Sequence, residues 1–224
     1  MSTAVLNKPT LGAFLESKPS SEQGRFADIR KRGLDGLENF AFPTRKDEDW
    51  RFIDLRSISR NSFTTVEESG VLTVENAENF HLPEAENTRF VFVNGSFDAD
   101  LSSISGLPEN VIVGNLSDYD DHEIVKKYLG SLTNYEEDVF VALNEANLED
   151  GAFIYVPEET EVEAPIHILN LFTDSTKPYF ATPRLLFVGE QSSKATIIEE
   201  HIGLSDNLYL NVPVTEFKLY EGAH

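Results

Sequence analysis

Residues 142–170 read ALNEANLEDGAFIYVPEETEVEAPIHILN, and a change of period inside them decides the fold. Upstream, EEDVFVALNEANL (136–148) sets Val139, Ala142, Leu143 and Ala146 along one stripe, the spacing of a helix with one buried face. Asp150-Gly151 is a turn dipeptide that ends this helix and admits a strand. After Gly151 helical periodicity stops, and AFIYV, PIHILNLF, RLLFV, KATIIEEHI, LYLNV and VTEFKLY follow as short apolar strands. Pro157 and Pro165 bracket a corner between the first two. Hairpin dipeptides are missing from this part and no helix intervenes. Such a series fits either a solenoid of stacked rungs or a sandwich or jelly roll, and no clean fixed-period repeat decides between them.

Working toward the N-terminus, TRFVFVNGSFDADL (88–101) places Asn94-Gly95 between two apolar runs, the strongest short-range hairpin signal. NVIVGNL (110–116) predicts a short buried strand. SDYDDHEIVKKYLGS (117–131) predicts a capped helix with Ile124, Val125, Tyr128 and Leu129 inward. Residues 1–60 predict helices: a short one in PTLGAFLESK (9–18) and a longer one from Glu22 to Phe40, with Phe26, Ile29, Leu34 and Leu37 near helical spacing and Gly33 and Gly36 weakening its end. In FPTRKDEDWRFIDL (42–55), Thr44 and Asp47 resemble a capping box, and three acids occupy the first turn, where the helix dipole favours them. Trp50, the chain's one tryptophan, then falls three residues before Ile53, so this helix is expected to bury both as a packing anchor.

The 224 residues are 40% hydrophobic, which suffices for a sizeable core and argues against disorder. Net charge is -21, unevenly placed. Residues 1–60 hold 11 of the 18 Lys+Arg and 9 of the 39 Asp+Glu, leaving 7 and 30 for residues 61–224. That excess repels phosphate backbones and anionic lipid, so nucleic acid and membrane surfaces are excluded as expected partners, while a basic protein partner is permitted. No apolar run reaches the ~20 residues of a membrane span, and the start lacks the apolar segment of a secretory signal. A cytoplasmic protein is expected, with the plastid stroma as an alternative on account of the Ser/Thr-rich start.

Chemistry is sparse. The chain has no cysteine, which removes disulfides, thiolate metal sites and cysteine nucleophiles together. The histidines, His81, His122, His167, His201 and His224, form no HxH, HExxH or HxxEH. His167 and His201 stand out because both lie in strand-like runs. In Glu199-Glu200-His201, strand alternation lets only Glu199 share a face with His201. Asp118, Asp120 and Asp121, and Glu158, Glu159, Glu161 and Glu163, are expected on a solvated face, and DYDD lacks the glycine and distal glutamate of an EF-hand. There is no GxxxxGK[ST] and no GxGxxG, so any ATP must be handled by a partner. No residue is assigned a catalytic, cofactor-binding or metal role. Two enzyme-like or ligand-binding alternatives are a β-helix carbohydrate-active enzyme, for which residues 151–224 offer only Lys177, Arg184, Lys194 and Lys218 as bases, and a cupin-like metal-binding sandwich, against which the isolated histidines argue.

The two segments FPTRKDEDWRFIDL and ALNEANLEDGAFIYVPEETEVEAPIHILN together resemble the SufB/SufD family of iron–sulfur cluster assembly proteins, with the likeness closer to SufD. Pro43, Glu48 and Trp50 match the family's Pro–basic–acidic–Trp segment. Leu143, Asn144, Ala146, Asp150, Gly151, Val156, Pro157, Pro165 and Ile166 match its LN-x-A…DG-x-x-I-x-VP…PI-x-I segment. The resemblance implies an α+β protein: a mainly helical region over 1–87, an α/β connecting region with the hairpin and helices over 88–150, and the start of a right-handed parallel β-helix over 151–224. It implies a non-enzymatic scaffold subunit of a SufBCD complex, paired with a SufB-like paralogue. Family members run longer, so the chain is expected to be truncated, with the missing C-terminal part docking a SufC-like ATPase. No cofactor is expected on this chain alone, since clusters are held by thiolates, and cluster and ATP would be handled by the complex.

Overall fold

The computed structural model describes residues 24–39, 43–66, 72, 77 and 79–224. The short helix expected over 9–18, and the first and last residues of the helix expected over 22–40, lie outside the described residues. The architecture is mixed α/β, with parallel and antiparallel strand pairing. The helices are α1 (Ala27–Asn39), α2 (Arg56–Ser59), α3 (Glu123–Tyr128) and α4 (Val139–Ala146). The strands are β1 (Thr88–Val93), β2 (Ser96–Ile104), β3 (Ile112–Asn115), β4 (Ala152–Val156), β5 (Ile166–Phe172), β6 (Tyr179–Ala181), β7 (Arg184–Gly189), β8 (Ile197–Gly203), β9 (Tyr209–Asn211) and β10 (Val214–Leu219).

From β4 onward each strand pairs in parallel with the third strand after it. β4 pairs with β7 and β7 with β10, β5 with β8, and β6 with β9. The chain thus circulates through three sheets and returns to the first. Ala152 stands beside Leu185 and Leu185 beside Thr215, Ile166 beside Ile197, and Tyr179 beside Tyr209, so one circuit takes between 30 and 33 residues. Varying turn lengths blur the period, which explains why no fixed repeat is legible in the sequence. Three-residue β6, set between Pro178 and Pro183, went unrecognised. Parallel pairing is foreign to an antiparallel sandwich or jelly roll.

Earlier chain covers one edge of each sheet. β1 joins β5 in parallel and continues through its Asn94-Gly95 turn into antiparallel β2, as the hairpin signal predicts; both turn residues have positive φ, 51° and 90°. β3 lies antiparallel on β4, and Thr64 bridges to Tyr179 of β6. Between the sheets, Phe90, Phe92, Ile154, Ile166, Ile168, Leu185 and Phe187 form an apolar core. Each such side chain contributes roughly 1.5–3 kcal/mol by leaving water.

Val125 and Tyr128 of α3 and Ile29 of α1 pack on Phe153, Leu186 and Val188, the outer face of β4 and β7. The stripe Val139, Ala142, Leu143 and Ala146 of α4 is buried, with Leu37 of α1 against it. Gly33 does not weaken α1. It marks the crossing with α4, where a β-carbon would fall 2.4 Å from the Ala146 backbone nitrogen. The helix expected from Thr44 to Leu55 is instead a single 3-10 turn, Glu48–Trp50, followed by the four-residue α2. Only half of the capping box forms: the Asp47 carboxylate accepts from the Thr44 N–H at 2.7 Å. One turn does not repay helix nucleation without a buried face to extend it, and Ile53 is 48% exposed while Trp50 alone packs, against Phe140 at 5.2 Å.

Candidate functional site

The densest polar constellation is buried where the helices meet the sheet. Arg184 opens β7 and Glu216 lies in β10, and both side chains are fully buried and hydrogen-bonded to each other through both guanidinium Nε and Nη2. Arg184 Nη1 also donates to Asn144 Oδ1 at 2.9 Å, and Asn144 Nδ2 donates to the carbonyls of Pro183 and Val212. Glu216 accepts from the backbone N–H of Gly130 and Leu132 at 2.8 and 3.0 Å. One turn along α4 from Val141, fully buried Glu145 takes a two-pronged bond from Arg32 of α1, both at 2.8 Å, and Arg32 reaches on to the Gly130 carbonyl. Two guanidinium groups and two carboxylates therefore neutralise one another and tie α1, α4, the 130–132 loop, β7 and β10 together. Every charge is answered inside the protein, so the network is bracing rather than a reaction centre.

Sequence reasoning singled out Asn144 through the motif and Arg184 only as a base open to a carbohydrate-active enzyme, and it missed Arg32, Glu145 and Glu216. Arg184 and Glu216 lie 32 residues apart, two beyond the 30 that separate ladder partners of β7 and β10, and the sequence carries no period that would have joined them.

The two strand histidines each find a carboxylate, on opposite faces of β8. His201 Nε2 meets Glu199 at 3.1 Å on the face toward the core, as strand alternation predicts. Glu199 also accepts from Thr215 Oγ1, and His201 Nδ1 lies 3.0 Å from Asn211 Nδ2. Glu200, on the other face, bonds fully buried His167 of β5 at 2.8 Å. Burial holds His167 below the usual imidazole pKa, and the Glu200 carboxylate opposes that shift. In neither pair does a hydroxyl or thiol contact the imidazole, so the nucleophile–base–orienter order of a hydrolase is not assembled. His122 caps α3, its Nδ1 accepting from the Ile124 N–H, while His81 is half-buried and His224 exposed.

The acidic clusters disperse. Asp120 pairs with Arg25 at 3.3 Å, Asp121 with Lys126 at 2.7 Å and Glu161 with Lys194 at 3.3 Å. Among the described residues no three His, Asp or Glu side chains are placed to hold a metal ion. A cleft of about 300 Å³ opens between the hairpin turn at Asn94–Ser96, the 147–150 segment and β6. On its wall, motif residue Asp150 accepts from the Ser117 N–H at 3.1 Å; burial pushes its carboxyl pKa up, against the pull of the Gly151 and Ser117 N–H groups. No helix among the described residues is long and apolar enough to cross a membrane.

Among the described residues, the tightly built polar site of Arg184, Glu216 and Asn144 braces the helical layer against the parallel ladders. Residues 18–168 match the SufBD protein N-terminal region, and the chain belongs to the SufBD family of iron–sulfur cluster assembly proteins. It is similar to the iron–sulfur cluster assembly SufBD family protein slr0076 of Synechocystis sp. (strain ATCC 27184 / PCC 6803 / Kazusa), 34% identical over 213 residues, covering 91% of this chain and 47% of the relative. Protein ABCI7, chloroplastic, of Arabidopsis thaliana is 29% identical over 217 residues, covering 93% and 44%. The SufBD family protein slr0074 of the same Synechocystis strain is 26% identical over 203 residues, covering 83% and 42%. The chain spans about half the length of the relatives it matches.

Proposed function

We propose that this chain belongs to a SufD-like scaffold subunit, without catalytic activity of its own, of a SufBCD-type complex for iron–sulfur cluster assembly. The observation that carries the reading is a family tie to cluster assembly in a chain with no cysteine. Clusters are ordinarily held by thiolates, so the cluster would rest on a cysteine-bearing SufB-like partner and ATP on a SufC-like ATPase. The three parallel ladders support a parallel β-helix, and the strong preference of parallel crossovers for the right hand supports a right-handed one. A rigid stack of this kind suits a scaffold whose partners move around it. The cytoplasm is the proposed location, with the plastid stroma favoured if the source is photosynthetic, as the chloroplastic relative suggests.

The test is affinity isolation of the native protein, tagged at its N-terminus in its own cells, with partners and intact mass determined by mass spectrometry. Recovery of a SufB-like paralogue and a SufC-like ATPase is the expected result. Recovery of neither overturns the complex, and turnover on acidic polysaccharide by the purified protein overturns the non-enzymatic role.

A further inference from the structure

Residues 61–224 contain seven cationic side chains among thirty carboxylates, and their placement is uneven. Arg89 and Arg184 are buried, and Lys126 and Lys194 are paired with Asp121 and Glu161. Of the remaining three, Lys127 and Lys218 converge on one spot from elements 91 residues apart. The Lys127 ammonium lies 4.8 Å from the centre of the Tyr128 ring, and that of Lys218 lies 5.0 Å from the Tyr220 ring. Between them the two phenol hydroxyls, 92 residues apart in sequence, are hydrogen-bonded to each other. Tyr128 is 7% exposed and therefore fixed, Tyr220 is half-buried, and the two phenols raise the Lys127 pKa.

Bringing two ammonium groups together costs Coulomb energy, and here neither is answered by a carboxylate ion pair among the described residues. What surrounds them instead is donors. The nearby Lys127 lowers the Tyr128 phenol pKa, whereas the hydrogen bond to Tyr128 and partial burial raise that of Tyr220. Two hydroxyls that share one hydrogen bond leave one phenol hydrogen to donate outward, beside the lysines. Tyr155, packed in the same cluster as Tyr128 and Tyr220, has its phenol pKa raised by burial and by Glu190, Glu123 and Glu158. The acidic excess of residues 61–224 repels an extended polyanion more than a compact anion that meets only the lysines.

We propose that Lys127, Lys218, Tyr128 and Tyr220 form a binding site for a small dianionic oxoanion of the phosphate type. Two ammonium groups balance two charges, and the phenol supplies a directed donor to a third oxygen. The site uses residues of this chain alone, so its failure leaves the scaffold reading standing.

The probe is inorganic phosphate, added to the whole chain at neutral pH while the ring resonances of Tyr128 and Tyr220 are followed by NMR. Saturable shifts of both rings are expected, weakening as potassium chloride is raised. The double variant Lys127→Ala with Lys218→Ala should lose about tenfold or more in affinity, and acetate, with one charge, should bind about tenfold more weakly than phosphate. Lys218→Arg should retain binding. Tyr220→Phe, whose fold is checked by an unchanged melting temperature, should weaken it less than the double variant does. Shifts that never saturate, or that saturate equally in the double variant, overturn the site and leave a structural tyrosine pair.

Discussion

On the core side of the β4-β7-β10 sheet, Ala152, Ile154, Val156, Leu185 and Phe187 pack with no polar atom among their side chains. On the outer side of the same strands, Arg184 and Glu216 are just as deeply buried but carry full charges. The apolar side gains by leaving water and is indifferent to direction, so it tolerates any helix or sheet that covers it. The charged side gains little net energy from burial and is intolerant of misplacement, because each donor must meet its acceptor. The first side makes the strands stack, and the second decides which helices sit on them and in which register.

Breaking the charged side should have the larger effect. Arg184→Leu strands the Glu216 carboxylate and should cost about 3–5 kcal/mol, read from urea unfolding. Adding Glu216→Leu sharpens the comparison. If ion pairing were the whole role, the double variant would return to wild-type stability. Because Glu216 also anchors the Gly130 and Leu132 N–H groups, two orphaned donors should keep it below wild type by about 1–3 kcal/mol each. On the apolar side, Ile154→Ala should cost about 3 kcal/mol as a cavity, with no dependence on its neighbours' charge state. Weaker is the cap of α4, where Asp138 accepts from the Phe140 and Val141 N–H groups; Asp138→Ala should lose about 1 kcal/mol.

The smallest effect is a pH dependence on the next sheet. Burial lowers the His167 pKa below the ordinary 6.5, so the folded state favours the neutral ring and its contribution is present above that value. It should fade as pH falls through 6.5 and toward the lower folded value. His167→Gln should flatten this limb of a plot of melting temperature against pH, and an unchanged slope would reassign it to other groups.

Much of the local structure was legible. Asn94-Gly95 gave the hairpin, the Val139–Ala146 stripe gave α4, and Pro157 and Pro165 do bracket the turn between β4 and β5. Each depends on residues a few positions apart, whose geometry the backbone alone fixes. The 43–55 stretch misled because its charges satisfy a helix start locally while nothing beneath Phe52 and Ile53 buries a second turn. Gly33 misled because its role is a close approach by another helix.

What the sequence determined by itself was most of the order of elements, β6 and the 43–55 stretch apart, together with the segregation of acidic charge, the absence of thiol chemistry and, through two motifs, the family. Only the tertiary structure decided the pairings one circuit apart. His167 with Glu200 and Glu161 with Lys194 are separated by 33 residues and Arg184 with Glu216 by 32. The tyrosine pair with its two lysines joins positions about ninety residues apart. The reason is physical. Strand alternation tells which face a side chain takes, but its neighbour on that face is set by the length of a circuit, and that length follows from turns whose residues carry no period.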